Sequence, residues 1–193
     1  MLFLILGPSG VGKGTQIDLL QKRHPEYVFP QSITTRKMRP MESQGDPYFF
    51  ISDDEFDKHI KNNDFLEWAE VHKTARYGTL RKPIEDALMA EKTVIKELDI
   101  QGLIKIKDSI KKHHLELFKK NLRSIFIMPP NEETLIRRIT GRSKIKEAEL
   151  HQRLESAKKE LEQADICDHI IYTDEEDSIE EVYENLIAII NSN

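Results

Sequence analysis

The sequence predicts an α/β fold in which a parallel sheet is wrapped by helices. Two observations carry this prediction. Short apolar segments alternate with longer amphipathic ones along the 193 residues, and this alternation is typical of parallel strands joined by helices. The segment LFLIL (residues 2–6) opens the pattern and is apolar throughout, as expected of a strand that is covered on both faces.

Composition narrows the class of protein. The formal net charge is -5 at pH 7, from 29 basic and 34 acidic residues, so extensive nucleic-acid binding is not expected. The one cysteine, Cys167, excludes an internal disulfide and favours a reducing compartment. The apolar start is too short for a signal peptide or a membrane span. We therefore expect one cytoplasmic domain over residues 1–193, with neither nucleic acid nor membrane as a partner.

Capping and composition set the first elements. A helix is predicted from Lys13 to about His24, where a proline follows. Ser52 and Glu55 form a capping-box pair at the start of a short helix. The surrounding stretch is aperiodic and rich in aromatic residues, so residues 32–80 are predicted to form a small inserted lobe.

Strand and helix patterns alternate again after this lobe, so residues 1–31 and 81–193 are assigned to the core of the domain. Strands are predicted in TVIKELDI, RSIFIM and HIIY. The basic segment 105–123 is predicted to be a solvated helix extension, with a partner or oligomer contact as the alternative. One further helix is predicted from Thr79, as its cap, to about Glu91, and two more over residues 103–120 and 146–165. Another is predicted to begin at Asn131. The last begins at Ser178, which forms a capping box with Glu181. The apolar stripe of the last helix has helical spacing and comprises Ile179, Val182, Tyr183, Leu186, Ile187 and Ile190.

The segment GPSGVGKGTQ (residues 7–16) has the spacing of a phosphate-binding loop. Gly7, Gly12 and Lys13 match G-x-x-x-x-G-K, and the loop lies between a predicted strand and a predicted helix, as the motif requires. Backbone N–H groups and the helix N-terminus would face phosphates. A glycine turn with a surface lysine is the alternative, which the agreement of pattern and context disfavours. The predicted ATP-binding residues are Gly7, Pro8, Ser9, Gly10, Val11, Gly12, Lys13, Gly14 and Thr15.

Gly14 departs from the motif, which places a Ser or Thr hydroxyl after the lysine to bind Mg²⁺. Thr15 lies about 100° further round the helix. We predict that Thr15 reaches Mg²⁺ directly or through a water, since Mg²⁺ readily retains several waters. The departure then weakens the metal site without abolishing it.

The lobe carries side chains suited to a phosphate and a purine. Arg36, Arg39 and Tyr48 lie in one short stretch, and guanidinium groups match phosphate oxygens; solvated surface charges are the alternative for the two arginines. Glu67 lies in the apolar segment FLEWAE, where a carboxylate needs donors. Guanine offers two N–H donors on its Watson–Crick edge and adenine only one, so Glu67 favours guanine. An ordinary, partly exposed acid is the alternative.

The chain resembles the guanylate kinase family, whose members transfer a phosphoryl group from ATP to GMP. The matching segments cover about residues 2–175. The resemblance implies the P-loop nucleoside monophosphate kinase fold, with an acceptor-binding lobe over 32–80 and a lid over 138–150. It also implies ATP and GMP as substrates and Mg²⁺ as a cofactor, in a monomer or homodimer. The segments are GPSGVGK, SITTRKMR, ESQGDPYFF, FLEWAE, RYGT, LDIQG, IFIMPP, RRITGR, QRLESAKKEL and DHIIYTD.

The resemblance also implies residue roles. Asp99, in ELDIQG, would lie near the base or the metal. Glu97 is the alternative residue for the acidic role beside the metal. Lys96 interrupts the apolar run before these two acids. The implied metal ligands are Thr15 and Asp99, partly through water. The implied GMP-binding residues are Ser32, Glu67 and Thr79 for the base and Arg36, Arg39, Tyr48 and Tyr77 for the phosphate. The implied catalytic residues are Lys13, Arg39, Arg138, Arg142 and Arg153.

Two other functions fit part of the sequence. A related P-loop kinase for another phosphorylated acceptor would keep the loop, but a kinase that ignores purines would not need Glu67. A catalytically inactive, guanylate-kinase-like binding module would typically lose the loop, and Lys13 and its glycines are intact. A regulatory GTPase is disfavoured because the sequence contains no Asn-Lys-x-Asp motif.

Overall fold

Strands and helices alternate along most of the chain. The computed structural model describes residues 1–71, 75–142, 147–174 and 178–192. The strands are β1 (Leu2–Leu6), β2 (Ile33–Thr34), β3 (Phe49–Phe50), β4 (Phe65–Val71), β5 (Ala75–Leu80), β6 (Val94–Glu97), β7 (Leu122–Met128) and β8 (His169–Tyr172). The helices are α1 (Lys13–Arg23), α2 (Asp53–Lys61), α3 (Arg81–Met89), α4 (Ile100–His113), α5 (Glu116–Asn121), α6 (Glu132–Arg142), α7 (Glu147–Leu161) and α8 (Ile179–Asn191), with a short 3₁₀ helix at Ala164–Ile166.

The larger sheet has the strand order β6-β1-β7-β8, and all of its pairs are parallel. The predicted parallel sheet is therefore confirmed. β1 is buried along its whole length, with Leu2, Leu4 and Leu6 in the core on one face and Phe3 and Ile5 in the core on the other. Helices cover both faces, which explains why the strand has no polar position.

Strands β2 to β5 form a second sheet of order β3-β2-β5-β4, in which β5 runs antiparallel to both β2 and β4. Phe56 of α2 is fully buried against Ile33 and Phe65 of this sheet. The capping box of Ser52 and Glu55 begins α2, as predicted. This sheet has a small apolar core of its own, beside the two cores of the parallel sheet.

Several predicted element ends are wrong. Thr79 lies in β5 and does not cap α3, which begins at Arg81. The helix predicted over 103–120 is two helices, because His114 adopts a left-handed conformation with φ of 52° and ends α4. In α8 the capping box at Ser178 is confirmed, but Ile179 of the predicted stripe is 56% exposed.

The sheet register brings two loops together at the carboxyl edge. β1 and β6 are neighbours, with Ile5 opposite Glu97. The glycine loop follows β1, and Asp99 follows β6 as the N-cap of α4. Ligands of parallel sheets bind at this edge. Within the described residues, no helix has both the length and the apolar character that crossing a membrane requires.

Candidate active site

The loop after β1 has a backbone that only glycine adopts readily. Gly7 and Gly10 have φ values of 142° and 88°, in the region that side chains disfavour. A Cβ at Gly7 would lie 2.7 Å from the carbonyl oxygen of Ile127, and one at Gly10 would lie 2.8 Å from Ile139. The loop therefore closes tightly and leads into α1, whose first N–H groups have no partner within the helix. These groups are suited to an anion such as a phosphate.

Lys13 is the first residue of α1, at the end of the glycine loop. Its ammonium group donates to the carbonyl oxygens of Gly7 and Pro8, the second at 3.2 Å, and lies 3.9 Å from a carboxylate oxygen of Glu97. Only 12% of its side chain is exposed. The cation is thus held between the carboxyl ends of β1 and β6, where a phosphate on the loop would meet it.

A cavity of about 550 Å³ joins the glycine loop to the segments that lead into β2 and β3. It extends from Gly12 and Lys13 to Ser32 and Tyr48 and is bounded by the end of β6. This volume suits a nucleotide-sized ligand. Its wall also includes Lys96, Glu97, Asp99 and Glu160.

Glu67 and Thr79, two of the predicted base-binding residues, lie together. They are directly opposite in the antiparallel pair of β4 and β5, and the Thr79 hydroxyl donates to Glu67 Oε1 at 2.7 Å. Burial raises the pKa of Glu67, and the Thr79 hydrogen bond offsets part of this rise. Trp68, the next residue in β4, is 38% exposed. The carboxylate is thus desolvated with one acceptor oxygen already paired.

Arg36, Tyr48 and Tyr77 also lie together. The Arg36 guanidinium is centred 5.6 Å from the Tyr48 ring, and the rings of Tyr48 and Tyr77 are 5.5 Å apart, edge to face. The sequence interpretation missed Glu42, which accepts two bonds from Arg36 at 2.9 and 3.0 Å. Glu42 also accepts from the backbone N–H of Arg39, whose side chain is exposed. Glu42 thus pairs with both terminal nitrogens of the Arg36 guanidinium, the groups that bind carboxylates and phosphates alike.

The residues predicted on the ATP side are only partly assembled. Arg138 donates to the carbonyl oxygen of Val11 at 3.0 Å and lines a smaller cavity of about 280 Å³ with Thr15 and Thr173. Arg153 is exposed and pairs with Glu149 within α7 at 2.7 Å, and it lines neither cavity. The predicted lid over 138–150 is only partly described, and the side chain of Arg142 lies outside the described residues.

The two residues predicted to hold Mg²⁺ line different cavities. Asp99 lies in the larger one, where its Oδ1 caps α4 by accepting from Gly102 at 2.7 Å, whereas Thr15 lines the smaller one. Glu97, which contacts Lys13, lies in the larger cavity with Asp99. Two carboxylates beside a phosphate loop fit the preference of Mg²⁺ for oxygen ligands. In the described ranges, no three His, Cys, Asp or Glu residues cluster as a metal site.

Two charged residues of the larger cavity had no predicted role. Lys96 is 7% exposed, and its ammonium donates to Ser32 Oγ at 2.6 Å. Within the described part of the chain, the Oε2 atom of Glu160 in α7 is buried without a hydrogen-bond partner. Burial raises the pKa of Glu160 to about 7, although the nearby Lys13 opposes the rise. The only sequence signal for a role of Lys96 was that it interrupts the apolar run TVIK. Glu160 had no such signal, because it is one of many charged residues in its helix.

Glu160→Gln is expected to stabilise the unliganded protein above pH 7. Because the folded-state pKa is raised, the stabilising protonated form is lost as the pH rises through about 7, and glutamine never ionises. We expect the free energy of unfolding at pH 8 to rise by about 1–2 kcal/mol, and the gain to shrink as the pH falls. Urea titrations at several pH values measure this, with the exposed Glu155→Gln in the same helix as the control. Equal effects of the two variants would contradict the assignment.

The comparisons with known proteins agree along the whole chain. The family model for guanylate kinase matches residues 1–193. A guanylate kinase of Streptomyces kasugaensis is 40% identical over 189 residues, which cover 98% of this chain and 86% of the relative. One from Thermotoga maritima is 39% identical over 191 residues, which cover 99% and 86%. The crystal structure of guanylate kinase from Anaplasma phagocytophilum has a TM-score of 0.72 at 28% identity, covering 100% of this chain and 85% of that one.

A parallel sheet with a glycine phosphate loop at its carboxyl edge, together with these neighbours, defines an α/β nucleotide kinase, which is a phosphotransferase. The chain belongs to the guanylate kinase family.

Proposed function

We propose that this chain transfers the γ-phosphoryl group of ATP to GMP and releases ADP and GDP. The observation that carries the proposal is the cavity of about 550 Å³, which runs from the phosphate loop to Ser32 and Tyr48, the residues immediately before β2 and β3. Two phosphorylated substrates placed along it would meet at Lys13. The names of the relatives support the same reaction.

Guanine recognition is assigned to Glu67, Ser32 and Thr79. The Glu67 carboxylate would accept from the ring N–H and the exocyclic amine of guanine. The Thr79 hydroxyl proton is already donated to Glu67, so Ser32 is the better donor to the guanine carbonyl. Adenine would place a ring acceptor against the carboxylate and an amine against the Ser32 donor. The geometry therefore favours GMP over AMP.

The GMP phosphate is assigned to Arg36, Arg39, Tyr48 and Tyr77. Arg36 is bound to Glu42 in this structure, so a phosphate would share or replace that carboxylate. The attacking atom is a phosphate oxygen, which is largely ionised near neutral pH because its second pKa is about 6. The reaction therefore needs alignment and neutralisation of charge more than a general base.

Charge neutralisation on the ATP side is assigned to Lys13, Arg138, Arg142 and Arg153. Lys13 would exchange its loop carbonyls for phosphate oxygens, and Arg138 is already beside the loop at Val11. Arg142 and Arg153 would join them when a lid over 138–150 closes, which would also exclude water. Asp99 and Glu97 would hold Mg²⁺, partly through water, and the bound ion would neutralise phosphate charge. Thr15, which lines the smaller cavity, is the other proposed ligand.

An ADP-release assay with ATP and a panel of nucleoside monophosphates tests the proposed function. We expect rapid ADP release with GMP and little with AMP, CMP or UMP. Equal rates with GMP and AMP would contradict guanine recognition. ADP release that does not depend on any acceptor would contradict phosphoryl transfer to a nucleotide.

Gly14→Ser tests how Mg²⁺ is held. Gly14 lines the larger cavity, and a Cβ there would have no heavy atom of the described residues within 4 Å, so a side chain fits. The added hydroxyl lies on the side of Glu97 and Asp99, and we expect the Mg²⁺ concentration for half-maximal rate to fall several-fold. Gly14→Ala is the matched control, because it adds the carbon without the hydroxyl. Identical Mg²⁺ titrations for the two variants would show that a hydroxyl there does not ligate the metal.

A further inference from the structure

Lys96 is a charged side chain in a strand whose other inner positions are apolar. In β6, Val94 and Ile95 are 0% and 1% exposed, and the residue opposite Lys96 in β1 is the fully buried Leu4. An apolar side chain would pack at this position without a desolvation cost. Burying an ammonium is unfavourable unless it is bonded, so the lysine indicates specific partners.

Those partners lie at the wall of the larger cavity. The Lys96 ammonium donates to Ser32 Oγ at 2.6 Å and to the carbonyl oxygen of Pro30 at 3.1 Å. The Lys96 side chain ends in an ammonium group that donates to both oxygens, so its bond to Ser32 has a defined direction.

This direction determines what Ser32 can do. A hydroxyl has one proton, and an ammonium group cannot accept it, so the Ser32 proton must point away from Lys96. Among the residues that the structure describes, none accepts that proton. The hydroxyl of Thr79 is committed to Glu67. Ser32 thus offers a donor to whatever occupies the cavity.

We propose that Lys96 is a specificity-determining positioning residue, which fixes the Ser32 hydroxyl as a donor toward the carbonyl group of the acceptor base. This inference rests on the proposed function, in which that base is guanine. Adenine has an amine in place of the carbonyl, so two donors would meet. Without Lys96, the Ser32 hydroxyl would rotate and accept from that amine, and discrimination would fall.

Lys96→Met tests the role, because methionine has a similar length and no donor. The measurements are kcat/KM with GMP and with AMP, and KM for ATP. We expect the GMP to AMP ratio of kcat/KM to fall by about tenfold, through a higher KM for GMP and a better use of AMP, with KM for ATP unchanged. Lys105→Met is the control, because it removes a charge that acts on Glu67 without contacting Ser32.

A double-substitution cycle separates the bond to Ser32 from a general effect of charge. In a Ser32→Ala background, Lys96→Met should change the GMP to AMP ratio by less than about twofold, because its partner is already gone. An equal fall in both backgrounds would overturn the inference, and so would an unchanged ratio in Lys96→Met. If Lys96→Met does not fold, Ser32→Ala alone decides, since an unchanged ratio there also overturns the inference. A wild-type protein that does not prefer GMP refutes the proposed function itself.

Discussion

Lys13→Ala is expected to lower kcat by about a hundredfold or more while the protein stays folded. Its ammonium lies among the carbonyl groups of its own loop and beside Glu97, where the transferred phosphoryl group would pass. Alanine removes the charge that the transition state needs. The core on both faces of β1 is untouched, so circular dichroism and the melting curve should resemble those of the wild type.

Lys22→Ala is the matched control, because Lys22 is an exposed lysine of the same helix. Single-turnover rates at saturating ATP and GMP separate chemistry from binding. Turnover of Lys13→Ala that matches that of Lys22→Ala would remove Lys13 from the chemistry. A folded variant that has lost turnover but keeps GMP binding would support its placement at the ATP phosphates.

Glu67→Gln is expected to lower kcat/KM for GMP by about a hundredfold or more and to leave ATP binding within about twofold. The substitution keeps the shape but replaces an acceptor oxygen with an amide donor, which would face the N–H groups of guanine. The Thr79 hydroxyl still has an oxygen to bond. Because burial raises the pKa of Glu67, removing its charge is not expected to destabilise the fold.

Glu70→Gln is the control for this variant, since Glu70 is an exposed residue of the same strand. Initial rates over a range of GMP concentrations measure KM and kcat, and ATP binding is titrated separately. An equal loss for GMP and for ATP would refute the guanine-reading role. A loss confined to kcat at unchanged KM for GMP would also contradict it, because base recognition is expected to act through acceptor binding.

The parallel sheet was predictable because its signals are local. LFLIL has no polar position, since helices cover both of its faces, and the capping boxes at Ser52 and Ser178 are satisfied within one helical turn. The phosphate loop was predictable for the same reason, because its glycine spacing reflects its own backbone. Thr79 shows the limit of this reasoning. Its position before a helix resembled a cap, but a partner twelve residues away, Glu67, binds its hydroxyl instead.

The remaining site residues depend on contacts that no local pattern encodes. Glu42 approaches Arg36 through the turn between β2 and β3. Lys96 meets Ser32 across 64 residues of sequence, and its neighbours in the chain indicate only that a polar residue interrupts a strand. Glu160 differs from the other acids of α7 only through its burial beside the cavity. Sequence reasoning identified the residue types of the site, whereas the sheet register determined which of them meet.

The most direct test of the central claim is a competition in one reaction mixture. ATP, GMP and AMP are supplied at equal concentrations with Mg²⁺, and all nucleotides are followed by chromatography. Specific recognition of guanine predicts that GDP forms while GMP and ATP are consumed in equal amounts and the AMP concentration stays constant. Consumption of AMP at a rate comparable to that of GMP would contradict the claim, and so would loss of ATP without formation of GDP.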